Sequence, residues 1–137
     1  MKLRFVFNGS LSMFVKVILP MDIEHYRNYC LSKPGTSEDL PFGPDTLVMK
    51  VGGKLFALCS IDNFVSINLK CDPERAVLLR EEYEQIKHGY HMNKTHWNTV
   101  TLDGLKESFV MELIDHSYDL VRNSLPGKVR EYLGLAR

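Results

Sequence analysis

The stretch TLVMKVGGKLFALCSI, residues 46–61, decides the fold. Its first six residues alternate, with Leu47, Met49 and Val51 on one side and Thr46, Val48 and Lys50 on the other, the two-residue period of a half-buried strand. Gly52-Gly53 suits the left-handed backbone of a tight two-residue hairpin. Lys54 to Ile61 is nearly continuous in apolar residues, which predicts a central strand. Asp62-Asn63 turns the chain again, and FVSINLK (64–70) places Val65, Ile67 and Leu69 inward and Ser66, Asn68 and Lys70 outward. An antiparallel three-strand meander results.

Helices flank it. Upstream, Asp22 is a candidate N-cap for a helix carrying Ile23, Tyr26 and Cys30 at helical spacing, ended by Pro34-Gly35. PGTSEDLPFGP then forms a turn-rich loop. Downstream, Asp72-Pro73 opens PERAVLLREEYEQI, whose apolar stripe is Ala76, Leu79 and Tyr83, widened by Leu78. KHGYHMNKTH is a loop, and WNTVTL (97–102) a fourth strand with Val100 and Leu102 facing one way and Trp97, Thr99 and Thr101 the other. A long helix over 105–124 repeats apolar residues at three, four and seven, and Pro126 separates it from a short last helix. The order predicts an α+β, two-layer domain: an antiparallel sheet of about four or five strands, covered by helices on one face and open on the other.

Composition bounds the function. At 137 residues the chain is one domain long, and its 17 basic residues balance 17 acidic ones. Nucleic-acid binding through overall charge is thereby excluded, so any such role needs a local patch. Cys30, Cys59 and Cys71 are odd in number, widely spaced and without CxxC spacing, which predicts buried, reduced thiols in a cytoplasmic protein. No run approaches the roughly 18 apolar residues of a membrane span. Residues 1–20 loosely imitate a signal peptide, but NGS and Lys16 interrupt the apolar run and no small-x-small cleavage site follows. They read as an extension, or an overlong start, before a single domain over 21–137.

The least ordinary ten residues are HMNKTHWNTV, His91 to Val100. No acid occurs from Gln85 to Leu102, whereas Lys87, His88, His91, Lys94 and His96 all do. Lys50 and Lys70 add to this from the polar sides of their strands. Trp97, beside such cations on a partly open sheet, could stack a base while lysines meet phosphates. Burial in the core or at the sheet edge is the more common fate of a lone tryptophan. The histidines, at spacings of three and five, match no common zinc motif and have no carboxylate in their loop, so neither metal nor cofactor is expected. No nucleophile elbow, phosphate-binding glycine loop or HExxH occurs, and a non-enzymatic protein is expected.

The pieces YCLSKPGTSEDLPFGPDTLVMKV, VSINLKCDPERAVLLRE, GYHMNKTHWNTVTLDG and ELIDHSYDLVRNSLP resemble the MmcQ/YjbR family over about Asp22 to Leu133. The H-x-N-K-x-H-W pattern, here His91, Asn93, Lys94, His96 and Trp97, is the most specific part. The resemblance implies an α+β fold similar to type III secretion chaperones or CyaY-like domains. It also implies a DNA-binding label that rests on fold analogy, with no catalytic residues or cofactor. The leading expectation is a DNA-binding module in which Lys50, Lys70 and Lys94 contact phosphates. His91, His96 and Trp97 line the surface, and Asn93 either reads a base edge or caps its own loop. The alternative is a protein-interaction adaptor or self-associating module using an exposed sheet face or edge.

Overall fold

The computed structural model describes residues 2–3, 17–18, 20–89 and 92–135. Two short strands, β1 (Lys2–Leu3) and β2 (Val17–Ile18), pair antiparallel as a separate two-stranded sheet among the described residues. Helix α1 (Ile23–Leu31) follows, with the Asp22 carboxylate accepting the His25 N–H at 2.8 Å. The main sheet is built from β3 (Thr36–Asp39), β4 (Thr46–Val51), β5 (Lys54–Ser60), β6 (Ser66–Lys70), β7 (Ile86–His88) and β8 (Trp97–Thr101). Helix α2 (Pro73–Glu82) separates β6 from β7, and α3 (Glu107–Ser124) and α4 (Gly127–Tyr132) end the fold.

The six strands are antiparallel in the order β3-β4-β5-β6-β8-β7, which puts the expected meander at the centre. Gly52 and Gly53 have φ of +57° and +82°, as the hairpin requires. A Cβ on Gly52 would also come within 2.6 Å of Leu125, so the turn doubles as a close packing point for the end of α3. α3 lies across β4, β5 and β6, burying Val110, Leu113, Ile114, Tyr118 and Val121 against Met49, Phe56, Ile67 and Leu69. α1 packs by β3 and α2 by β7.

Two edge strands extend the sheet beyond the four or five expected. β3 falls inside the stretch read as a loop. Its sequence, Thr-Ser-Glu-Asp, has no apolar alternation and is held by pairing with Val48 to Val51. β7 spans the expected end of the α2 helix, at Ile86, and the start of the stretch read as a loop, at Lys87 and His88. α2 ends at Glu82 because Tyr83 is extended (φ −120°, ψ 123°), which stacks its ring on Phe109 at 4.8 Å and lets Ile86 enter the core. Two inward assignments also fail: Val65 precedes β6 and is 53% exposed, and Leu78 is 64% exposed on the outer side of α2. The apolar residues extend past the start of β6 at Val65 and round the exposed side of α2 at Leu78, so composition alone overreaches.

Candidate nucleic-acid interface

Register fixes which side chains share the sheet face turned away from α3. One row crosses it as Lys87, Thr99, Asn68, Leu58 and Val48. The next row holds Trp97 opposite Lys70, with Lys50 two strands further on. Strands β4 to β8 contain no carboxylate at any position. The floor is well packed: Val48 is 1% exposed, and the Thr99 hydroxyl donates to Asn68 Oδ1 at 2.6 Å. Trp97 is half-buried, as are Lys70 and Asn68. Trp97 thus keeps part of its surface accessible.

A bulge sets the position of Lys70. Met49 pairs with Ala57 but Lys50 pairs with Leu55, so Phe56 is an extra residue, and both Phe56 and Ala57 are buried. The β5–β6 ladder stops at Ala57–Leu69. The Phe56 carbonyl and Lys70 N–H, which would come next, are joined instead through Ser117 on α3. Its hydroxyl accepts the Lys70 N–H at 2.9 Å and donates to the Phe56 carbonyl. A buried serine facing a sheet is a signal that sequence inspection overlooked.

The loop before β8 is ordered by its own backbone. The Asn93 carbonyl accepts the N–H groups of His96 and Trp97 at 3.2 and 3.0 Å, and Asn93 Oδ1 accepts the Thr95 N–H at 2.8 Å. Of the two roles open to Asn93, the structure displays the loop cap. The Cys71 N–H donates to the His96 carbonyl at 2.8 Å, tying the loop to the end of β6. Gly89 donates to the Trp97 carbonyl at 2.9 Å, and a Cβ there would stand 3.1 Å from the Trp97 Cβ. Arg80 on α2 donates to the buried Asn98 side chain at 2.7 Å and to the Lys94 carbonyl at 3.4 Å. Lys94 is exposed and His96 half-buried. His91 lies outside the described residues.

The cations divide into two groups. Lys50 Nζ lies 2.9 Å from Asp39 Oδ2, so its charge is largely matched by the β3 edge. Lys70, Lys87 and Lys94 make no ion pair among the described residues. Lys87, on β7, was in the acid-free segment but not among the expected contacts, because β7 itself was not foreseen. Carboxylates gather at the opposite strand ends, with Asp45 before β4, Asp62 after β5 and Asp103 after β8. There the Asp62 side chain pushes the Asp45 carboxyl above its ordinary range. Electrical neutrality of the whole chain thus coexists with strands β4–β8 that carry cations and no carboxylate.

Burial also shifts several other titratable groups. Burial pushes the Cys30 and Cys59 thiols up to about 12 and Cys71 up to about 11, so all three stay protonated near neutral pH. Burial, assisted by Arg75, lowers His116, whose Nε2 accepts the Asp72 N–H at 3.1 Å. Among the described residues no three His, Cys, Asp or Glu side chains gather to hold a metal, and no helix is long and apolar enough to cross a membrane.

Residues 31–120 match the family model described as YjbR. The chain is 36% identical over 115 residues to the uncharacterised protein YjbR of Escherichia coli K12, covering 82% of this chain and 98% of that one. It is 44% identical over 87 residues to the uncharacterised YbdF of Escherichia coli O157:H7, covering 62% and 71%. A solved structure of a Deinococcus radiodurans protein, described by the domain DUF419, superposes with a TM-score of 0.78 at 38% identity, covering 83% of this chain and 88% of that one. A Pseudomonas syringae protein gives 0.63 at 32% identity, covering 74% and 99%. The chain therefore belongs to the YjbR family, with the DUF419 fold of a six-stranded antiparallel sheet packed against helices.

Proposed function

We propose that this chain is a non-enzymatic, cytoplasmic nucleic-acid-binding module, with DNA as the ligand, engaged by the sheet face opposite α3. Lys70, Lys87 and Lys94 meet phosphates, and Trp97 borders them. The observation that carries the reading is the direct pairing of Lys70 with Trp97 on a face to which β4–β8 contribute no carboxylate. Phosphate contacts position a nucleic acid, and an accessible indole adds sequence-tolerant stacking. Lys50 takes a smaller part because Asp39 already holds it. The protonated thiols support a non-enzymatic role, since a thiolate is the nucleophilic form.

Three phosphate contacts predict a log–log salt slope near −2.7, or about 40-fold weaker binding to duplex DNA between about 50 and 200 mM salt. A titration of labelled duplex at those two concentrations tests it. Absence of binding at the lower concentration by duplex and single-stranded DNA alike, or affinity indifferent to salt, removes the electrostatic mechanism.

A second reading, a protein-interaction adaptor or homodimer, is favoured by the β3 edge. β3 has one pairing partner, and a cavity of about 630 Å³ opens beside it between Ile23, Leu40, Leu47 and Ile61. A partner strand added to β3 could seat an apolar side chain there. Light scattering and capture of partners separate the two readings: a stable assembly blocked by substitution at Leu40, with no nucleic-acid binding, selects the adaptor.

A further inference from the structure

We infer that the cleft in the sheet face opposite α3 receives an unpaired nucleobase, which makes single-stranded nucleic acid the preferred ligand over duplex. This deepens the nucleic-acid reading above and rests on it. The cleft, about 500 Å³, is lined by Phe42, Leu55, Leu58, Asn68 and Met92 among others. Its volume lies within the roughly 300–1,000 Å³ of ordinary small-ligand sites.

Shape decides between the two forms of ligand. Reading a duplex requires an element that protrudes into a groove, because stacked bases expose only their edges there. Here the apolar side chains line a concave cleft, which a base swung out of a single strand can enter and a base held in a duplex stack cannot. Phe42 is 68% exposed and free to stack a base face. Asn68 Oδ1 is taken by the Thr99 hydroxyl, and its amide nitrogen has no hydrogen-bond partner among the described residues, leaving a donor for a base carbonyl or ring nitrogen. The Lys70–Trp97 pair adjoins the Asn68–Thr99 pair on the same two strands, so a phosphate on Lys70 and a base beside Asn68 belong to neighbouring positions of one strand. Charge points the same way. Three lysines without an ion pair among the described residues, on a neutral protein, supply limited phosphate affinity, which stacking and apolar contact must supplement.

The test uses the full chain and three labelled probes of equal length, about 12 nucleotides, at about 50 mM salt: oligo(dT), an abasic deoxyribose-phosphate strand, and a duplex. Oligo(dT) is expected to bind at least about tenfold tighter than either of the others, and Phe42→Ala to reduce that preference severalfold. The exposure of Phe42 leaves folding intact, to be verified by circular dichroism. Equal binding of abasic strand and oligo(dT), or a duplex bound as tightly as oligo(dT), overturns the base cleft while leaving the nucleic-acid reading in place. Failure of all three probes to bind overturns both.

Discussion

Ser117 on α3 stands in for a missing rung of the β5–β6 ladder, accepting the Lys70 N–H at 2.9 Å while donating to the Phe56 carbonyl. The relation links the helix layer to the opposite face, because the same backbone that Ser117 holds carries the Lys70 side chain outward beside Trp97. Ser117→Ala leaves a buried donor and acceptor without their bridge. Loss of about 1–3 kcal/mol is expected in urea unfolding. Unchanged stability would mean that Phe56 and Lys70 find each other directly.

Charge changes on the face have opposite signs. Lys70→Ala removes one cation without an ion pair among the described residues and is expected to lower the magnitude of the salt slope by about 0.9. Asp39→Asn releases Lys50 from its ion pair and is expected to raise it by a similar amount, with tighter binding. Anisotropy titrations over a salt series measure both. A slope unmoved by Lys70→Ala places the contact elsewhere.

His116 gives the protein a pH dependence. Its Nε2 accepts the Asp72 N–H, which only a neutral ring can do, and burial with the nearby Arg75 lowers its pKa below the ordinary 6.5. The unfolded chain therefore takes up a proton at a higher pH than the folded one. Stability from this group is complete above pH 6.5 and declines as pH falls from there through the folded value. His116→Gln keeps an acceptor without the titration and should flatten that part of the stability profile. A ring NMR titration with its midpoint at or above 6.5 contradicts the assignment.

The thiols should be inert in the folded protein. Cys30, Cys59 and Cys71 are buried and their pKa values are raised, so a disulfide reagent at neutral pH should modify them slowly. In denaturant all three should react promptly. Rapid modification of a native thiol would reveal access that the packing denies.

How much of this was legible beforehand varies with the physics of each part. The β4–β5–β6 meander was readable because alternation and Gly52-Gly53 are local, and the long α3 helix because its stripe repeats over five turns. The outward faces of Lys70 and Trp97 followed from alternation as well. The edge strands were not readable, since polar β3 and three-residue β7 exist only through their neighbours. Missing β7 concealed Lys87, and missing β3 concealed Asp39 and therefore the neutralisation of Lys50. The bulge at Phe56 and its Ser117 bridge join residues 61 positions apart, beyond any local pattern. Leu58 was legible as part of a central strand, but the cleft it lines needs Phe42 and Met92 brought together from two loops.

The chain has one tryptophan, so its indole N–H gives a single, unambiguous NMR signal at the proposed contact. Adding unlabelled oligonucleotide at about 50 mM salt should shift that signal together with the Lys70 and Lys87 amides, and raising salt to about 200 mM should reverse most of the change. An indole signal that stays put while the amides of α3 move, or a spectrum that ignores the oligonucleotide altogether, contradicts the account.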